Sequence, residues 1–134
     1  MKSYSVSTSR YGTGNRSGSN KTPLGRHRII NKLGRNVSLG AIFKQRRNTG
    51  KVFKGCKGGS DLITTRILRL EGLEKGLNKG KGIDSFQRCI YIHGTPEEKL
   101  IGKPASHGCI RMRNRDIIEL FNYVKRNTLV KINR

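Results

Sequence analysis

The sequence predicts a mainly β domain with a single α-helix in its C-terminal half. Several short runs are rich in β-branched and aromatic residues and are separated by glycine, serine and asparagine, which is the pattern of strands joined by turns. Only one stretch, 115–126, has apolar residues at helical spacing. A chain of 134 residues can bury one modest core, so residues 1–134 are expected to form one domain.

The first half of the chain predicts short strands between polar loops. Residues 4–8 alternate larger residues with serine, as a strand with one buried face does. Residues 10–25 are polar and end in Thr-Pro-Leu-Gly, which predicts a long loop that closes in a turn. Strands are predicted at 28–33 and 37–43. The basic, glycine-rich residues 44–60 are predicted to be a mobile excursion.

Two stronger strand signals follow. Residues 62–70 are dense in β-branched residues and predict a central strand. Residues 72–82 contain four glycines and three lysines, which predicts a loop that could act as a lid. Residues 88–93 predict a second central strand, because both of its faces are largely apolar. Alternation along it places Ile90 and Ile92 on one face and Cys89, Tyr91 and His93 on the other.

The last third predicts a helix and a final strand. Asn114 is a good N-cap for a helix over 115–126, and Asp116 suits its positive end. The buried stripe of this helix is predicted to be Ile117, Ile118, Phe121 and Val124. Residues 129–132 are predicted to form the last strand.

The charge of the chain limits the classes of partner. There are 29 lysines and arginines against 8 acidic residues, a net charge of +21, and the first 60 residues contain no acid at all. Such a charge attracts polyanions. The chain has no tryptophan, four tyrosines and four phenylalanines, which is a poor supply for stacking on bases and argues against nucleic acid. Anionic wall polymers or lipid headgroups remain as expected partners of the basic surface.

Three cysteines, Cys56, Cys89 and Cys109, cannot all pair. No C-x-x-C spacing occurs, so no metal site is expected. A disulfide between Cys56 and Cys89 stays open, and it would leave Cys109 as a free thiol. The sequence has neither a run of apolar residues long enough to span a bilayer nor the pattern of a signal peptide, so the chain as given is expected to be soluble and cytoplasmic.

The chemistry of the chain is concentrated around Cys109. The segment Ser106-His107-Gly108-Cys109 follows His93, which lies sixteen residues before the cysteine. A thiol reacts as the thiolate, and with an ordinary pKa of about 8.5 it needs an imidazole to take its proton at neutral pH. His93 and His107 are the candidate bases. Gly108 lets the backbone turn sharply, so that amide groups can point at an oxyanion.

These residues resemble the L,D-transpeptidase family with its YkuD-type catalytic domain. The signature of that family is a histidine followed after a short interval by Ser/Thr-His-Gly-Cys. The turn at 22–25 (Thr-Pro-Leu-Gly), the strand at 6–8 and the segment 110–116 also match, so the resemblance runs from about residue 4 to residue 132. It implies a β-sandwich-like fold. Members of the family usually begin with one or two further strands, so the resemblance predicts that these are lacking here and that a sheet edge is exposed.

The resemblance also implies roles for the site residues. Cys109 would be the nucleophile and His93 the general base, and the backbone carbonyl of Gly94 would orient the imidazole. The remaining residues would shape the pocket, bind substrate or stabilise the oxyanion: Ser106, His107, Gly108 and Arg111. Among these, His107 is the second candidate for the base, and Arg111 is expected to bind a substrate carboxylate because guanidinium matches carboxylate bidentately. The acidic residues Glu97 and Glu98 are expected to be solvated, and His27 to be structural.

The expected reaction uses no cofactor. Cys109 would attack a peptidoglycan tetrapeptide stem before its terminal D-alanine, and an amine of a second stem would resolve the thioester into a cross-link between the third residues. Resolution by water would make the protein a hydrolase, an L,D-carboxypeptidase. Two alternatives involve no catalysis. One is a basic module that binds anionic polymers, and the other is an inactive domain that only binds cell wall. The family implies a periplasmic or cell-wall location, and we expect a monomer.

Overall fold

The computed structural model describes residues 2–53 and 61–134, in which a single α-helix packs against one sheet. The helix, α1, spans Asn114–Tyr123, and one turn of 3-10 helix spans Glu98–Leu100. The eight strands in the described residues are β1 (Val6–Ser7), β2 (Gly25–Leu33), β3 (Ala41–Lys44), β4 (Arg47–Val52), β5 (Ile63–Gly72), β6 (Tyr91–Gly94), β7 (Ile110–Met112) and β8 (Leu129–Ile132). The predicted mainly β class with one helix is confirmed.

The strands follow the order β1-β7-β6-β5-β2-β8, and β3 and β4 form a hairpin that branches from β5. All of these pairs are antiparallel except β6 and β7, which run parallel. The strand predicted at 62–70 is confirmed as β5, a central strand, and the strand predicted at 129–132 is confirmed as β8.

Apolar side chains form clusters on both sides of the sheet. Ile90 and Ile92 belong to the larger cluster, against which Ile117 and Phe121 of α1 pack. Tyr91 belongs to the second cluster, and Cys89 and Cys109 pack against it. The alternation predicted for 88–93 is therefore confirmed, although the strand itself begins only at Tyr91. The chain turns before it, because Cys89 has a positive φ of 57°.

The prediction of an excursion at 44–60 was wrong for residues 47–52, which form β4. Gln45 and Arg46 have φ values of 50° and 66°, the signature of a two-residue turn that matches the twist of a hairpin. Every residue of β4 is exposed, so no apolar alternation marks this strand in the sequence. Residues 54–60, and with them the proposed pairing of Cys56, lie outside the described residues.

The bounds of other elements also differ from those predicted, and β2 begins at Gly25 rather than at residue 28. The strand predicted at 4–8 contains only the two residues of β1, and the strand predicted at 37–43 begins at residue 41. The helix begins at Asn114 and ends at Tyr123, so Arg113 is the N-cap residue. Asn114 does not cap the helix because its side chain points inward to Thr64 and Thr65.

The glycine-rich loop after β5 is held against β2. The Asn78 side chain, which is fully buried, donates hydrogen bonds to the carbonyl groups of Leu24 and Arg26 at 3.1 and 2.9 Å. Leu73 also donates its backbone N–H to the Arg26 carbonyl at 3.0 Å. The lid role predicted for this loop stays a prediction. Within the residues described, no helix is both long and apolar enough to cross a bilayer.

Candidate active site

The parallel pair β6 and β7 positions the two central residues of the candidate site. Ile92 is opposite Ile110 and His93 is opposite Arg111 in this register, which brings Cys109 alongside Tyr91. Tyr91 and His93 are two residues apart on β6 and therefore share a face, and Cys109 packs on the Tyr91 side. The structure thus brings His93 and Cys109 to the same face of neighbouring strands.

The thiol of Cys109 is held between two backbone groups. The Tyr91 N–H lies 3.3 Å from Cys109 Sγ and donates to it, and the thiol in turn donates to the carbonyl of Cys89 at 3.4 Å. Burial raises the pKa of Cys109 to about 12, and the Tyr91 hydrogen bond lowers it only in part. The Cys109 thiol is therefore protonated at neutral pH.

The imidazole of His93 is buried and oriented by its neighbour. Its side chain is only 2% exposed, and its Nδ1 lies 2.6 Å from the carbonyl oxygen of Gly94. A carbonyl can only accept, so Nδ1 carries the proton and Nε2 is free to receive one. Burial lowers the pKa of His93 to about 4. The thiol and the imidazole are therefore both neutral at pH 7.

A network of hydrogen bonds fixes the turn before Cys109. Gly108 has a φ of 129°, a conformation that favours glycine. Ser106 donates its hydroxyl to the Cys109 carbonyl at 2.6 Å and accepts the Gly108 N–H at 3.2 Å. Thr22 donates its hydroxyl to the Gly108 carbonyl at 3.0 Å. Because the Gly108 N–H is engaged by Ser106, the Cys109 N–H is our preferred oxyanion donor.

Arg111, which is opposite His93 on β7, is buried and forms ion pairs with acidic residues of the same chain. Its side chain is 1% exposed and donates to the carboxylate of Asp61 and, at 3.2 Å, to Glu97 Oε1. The expectation that Glu97 and Glu98 are solvated was wrong for Glu97, whose side chain is only 20% exposed and pairs with Arg111. Glu98 is exposed as expected, and its carboxylate also accepts the N–H of Asn114 at 2.7 Å. A substrate carboxylate would have to displace an internal partner of Arg111.

His107 is held by an acid rather than by the thiol. Its Nδ1 lies 3.1 Å from Asp61 Oδ2, and about 40% of its side chain is exposed. Burial raises the pKa of Asp61, but the contacts with Arg111 and His107 outweigh this effect and lower it below the ordinary value. The register of β6 and β7, which puts His93 on the same face as Cys109, therefore favours His93 over His107 as the candidate base. The third histidine, His27, is buried and pairs with Ser85 at 2.8 Å.

A cavity of about 290 Å³ lies beside His107, and two of its lining residues, Ile90 and Arg88, have side-chain atoms within 3.9 Å of a Cβ atom added at Gly108. Its polar lining consists of Ser17, Asn20, Gln87, Arg88 and His107. Arg88 and Asp61 are the functional candidates that the sequence analysis missed. A signal existed for Asp61, which is the first acidic residue after sixty without one. In the described residues, no group of three metal-ligating side chains occurs.

Comparison with known proteins identifies a matching family. The model of the L,D-transpeptidase catalytic domain family, YkuD, matches residues 1–132. The chain is 56% identical over 43 residues to the putative L,D-transpeptidase YkuD of Bacillus subtilis, a match that covers 32% of this chain and 26% of the relative. It is 44% identical over 52 residues to the putative L,D-transpeptidase YqjB of the same species, covering 39% of this chain and 28% of the relative. These matches therefore span little more than a quarter of each relative.

Solved structures share the fold. L,D-transpeptidase 3 from Mycobacterium tuberculosis, in complex with a faropenem-derived adduct, has a TM-score of 0.57 at 18% identity. That match covers 98% of this chain and 44% of the other. An L,D-transpeptidase from Mycobacterium smegmatis has a TM-score of 0.54 at 12% identity, and the match covers 100% of this chain and 49% of the other.

Proposed function

Because the chain belongs to the L,D-transpeptidase family with its YkuD-type catalytic domain, we propose that it is a peptidoglycan L,D-transpeptidase. Cys109 attacks the carbonyl that precedes the terminal D-alanine of a tetrapeptide stem, and an amine of a second stem then forms the cross-link. The observation that carries the proposal is the placement of His93 and Cys109 on one face of the parallel strands β6 and β7. Nδ1 of His93 also donates a hydrogen bond to the Gly94 carbonyl, which orients the imidazole.

The acylation step follows from the neutral state of both groups. With a pKa of about 12 for Cys109 and about 4 for His93, a resting thiolate–imidazolium pair is not favoured. The proton passes from Sγ to Nε2 of His93 as the sulfur–carbon bond forms. Negative charge moves to the carbonyl oxygen, where the Cys109 N–H stabilises it. His93 then gives the proton to the nitrogen of D-alanine as the carbon–nitrogen bond breaks.

The second half of the reaction returns the enzyme to its starting state. The acceptor amine attacks the thioester and gives a proton to His93. The carbon–sulfur bond breaks, and His93 returns the proton to the sulfur of Cys109. If water takes the place of the amine, the product is a shortened stem and the activity is that of an L,D-carboxypeptidase. The proposed location is the periplasm or cell wall, where the net charge of +21 favours contact with anionic polymers. We propose that the protein acts as a monomer.

A second candidate function rests on the charge alone. A non-catalytic basic module would bind anionic wall polymers through electrostatic contacts that weaken in salt, and would not need its thiol. The acylation experiment described next distinguishes this basic module from the proposed enzyme.

The test is intact-protein mass spectrometry after incubation with the carbapenem imipenem, because a solved structure of similar fold, that of LdtMt1, contains it. We expect a single adduct on the parent protein and none on Cys109→Ala. His93→Ala is expected to slow acylation by about a hundredfold or more, as loss of a general base does. His107→Ala is the matched control for the base and should retain most of the rate.

No adduct on a folded parent protein would remove the enzymatic proposal and leave the basic module. An equal loss of rate in His93→Ala and His107→Ala would contradict the assignment of the base.

A further inference from the structure

We propose that the cavity beside His107 holds the C-terminal carboxylate of the stem peptide and that Arg88 is its ligand, an inference that rests on the proposed function. The terminal carboxyl carbon lies one residue beyond the carbonyl that Cys109 attacks, at a distance of about 3.8 Å or less. Whatever binds this carboxylate must therefore lie next to the nucleophile.

Arg88 lies in that place. A Cβ atom added at Gly108, the residue before the nucleophile, would lie 3.9 Å from Arg88 Nη2. The guanidinium is fixed by hydrogen bonds to two carbonyl groups, from Nη1 to Gly14 at 3.3 Å and from Nη2 to Lys21 at 2.5 Å. The position of its plane is thus set before substrate binds, which lowers the entropic cost of binding.

The guanidinium keeps donors for a ligand. It has five N–H groups, and the hydrogen bonds found among the described residues use two of them. Burial lowers the pKa of Arg88, whereas negative charge on Cys109 would raise it. A carboxylate bound here would form charge-assisted hydrogen bonds.

The rest of the cavity also suits a carboxylate. Ser17, Asn20 and Gln87 supply polar groups, and none of the described residues that line it is acidic. Arg111, which the sequence suggested for this task, is already paired with Asp61 and Glu97. The volume of about 290 Å³ is near the lower end of the range for ligand pockets and fits the end of a peptide rather than a polymer chain.

The test compares a stem tetrapeptide that ends in a carboxylate with the same peptide ending in a neutral carboxamide. The measured quantity is kcat/KM for thioester formation, followed by mass spectrometry. We expect the parent protein to prefer the carboxylate by about tenfold to a hundredfold, the value of hydrogen bonds to a charged group. In Arg88→Met the ratio should fall towards one, and in Arg88→Lys it should be intermediate.

Two further variants make the result specific. Arg115→Met removes the same charge from an exposed position on α1 and should keep the ratio of the parent. Gln87→Glu adds a negative charge at the exposed mouth of the cavity and should lower the ratio by about tenfold. Gln87→Glu carries the test alone if Arg88→Met does not fold.

The outcomes separate the two proposals. Thioester formation without a preference for the carboxylate, or with a preference that survives in Arg88→Met and in Gln87→Glu, overturns the role of Arg88 and leaves the proposed function standing. Failure of the parent to form a thioester with either peptide overturns the proposed function, and the carboxylate site falls with it.

Discussion

Gly94 illustrates how closely the chain is packed around His93. A Cβ atom at this position would lie 2.6 Å from Asn114 Oδ1 and 2.6 Å from the Thr64 carbonyl oxygen. The same residue supplies the carbonyl that accepts from His93. There is no room for a side chain at this position, so glycine is required. Its close packing also fixes the carbonyl group that orients the imidazole of His93.

Gly94→Ala should both destabilise the protein and slow the reaction. We expect a loss of about 1–3 kcal/mol in the free energy of unfolding, because neither Asn114 nor the Thr64 backbone can move away freely. Urea denaturation measures the loss, and carbapenem acylation measures the effect on the base. Gly14→Ala is the control, since its new Cβ would meet only the flexible Lys21 side chain. Equal stability of both variants would show that the site relaxes more than the contacts suggest.

The start of α1 ties three parts of the fold together. Asn114 accepts hydrogen bonds from Thr64 and Thr65 of β5 at 2.6 and 2.5 Å. Its amide group donates to the Thr95 carbonyl at 2.9 Å and to Glu98 at 3.3 Å. The helix thus supports the segment that follows His93 as well as the core.

Asn114→Ala is expected to cost about 2–3 kcal/mol, because it leaves buried hydroxyl and carbonyl groups without partners. Asn122→Ala, on an exposed face of the same helix, should change the free energy of unfolding by less than about 0.5 kcal/mol. Chemical denaturation of both variants gives the comparison. A difference below 1 kcal/mol between them would mean that water replaces the lost contacts.

The sequence predicted elements well where the local pattern and the tertiary structure agree. β5 and β8 have clear β-branched composition, and both strands occur where they were expected. β4 was missed because it is exposed along its length, and its pairing depends on a turn formed by Gln45 and Arg46. The spacing of the motif identified His93 and Cys109. Asp61 and Arg88 reach the candidate site only through long-range contacts, which leave no periodic pattern in the sequence.

At the scale of the whole molecule, buried histidines couple folding to pH. Burial lowers the pKa of both His27 and His93, the latter to about 4, whereas an unfolded histidine titrates near 6.5. Between these values the unfolded chain binds more protons than the folded protein does. Stability is therefore complete above about pH 6.5 and is lost as the pH falls towards 4.

We expect His93 alone to account for a loss of about 2 kcal/mol between pH 7 and pH 5. The free energy of unfolding, measured with urea at both pH values, tests this. His93→Gln cannot gain the proton and should have a smaller pH dependence, while His107→Gln, at a partly exposed position, serves as the comparison. The same fall in all three proteins would assign the effect to other groups.

The strand order has a further consequence for local unfolding next to the candidate site. β7, which follows Cys109 directly, pairs on one side with β6 and on the other with β1 through only two residue pairs, Val6–Met112 and Ser7–Arg111. We expect so short a ladder to open at a lower free energy than the central strands do. Fraying at this border would disturb Arg111 and the thiol while β2 and β5 stay intact, so inactivation and global unfolding should be separate events in this protein.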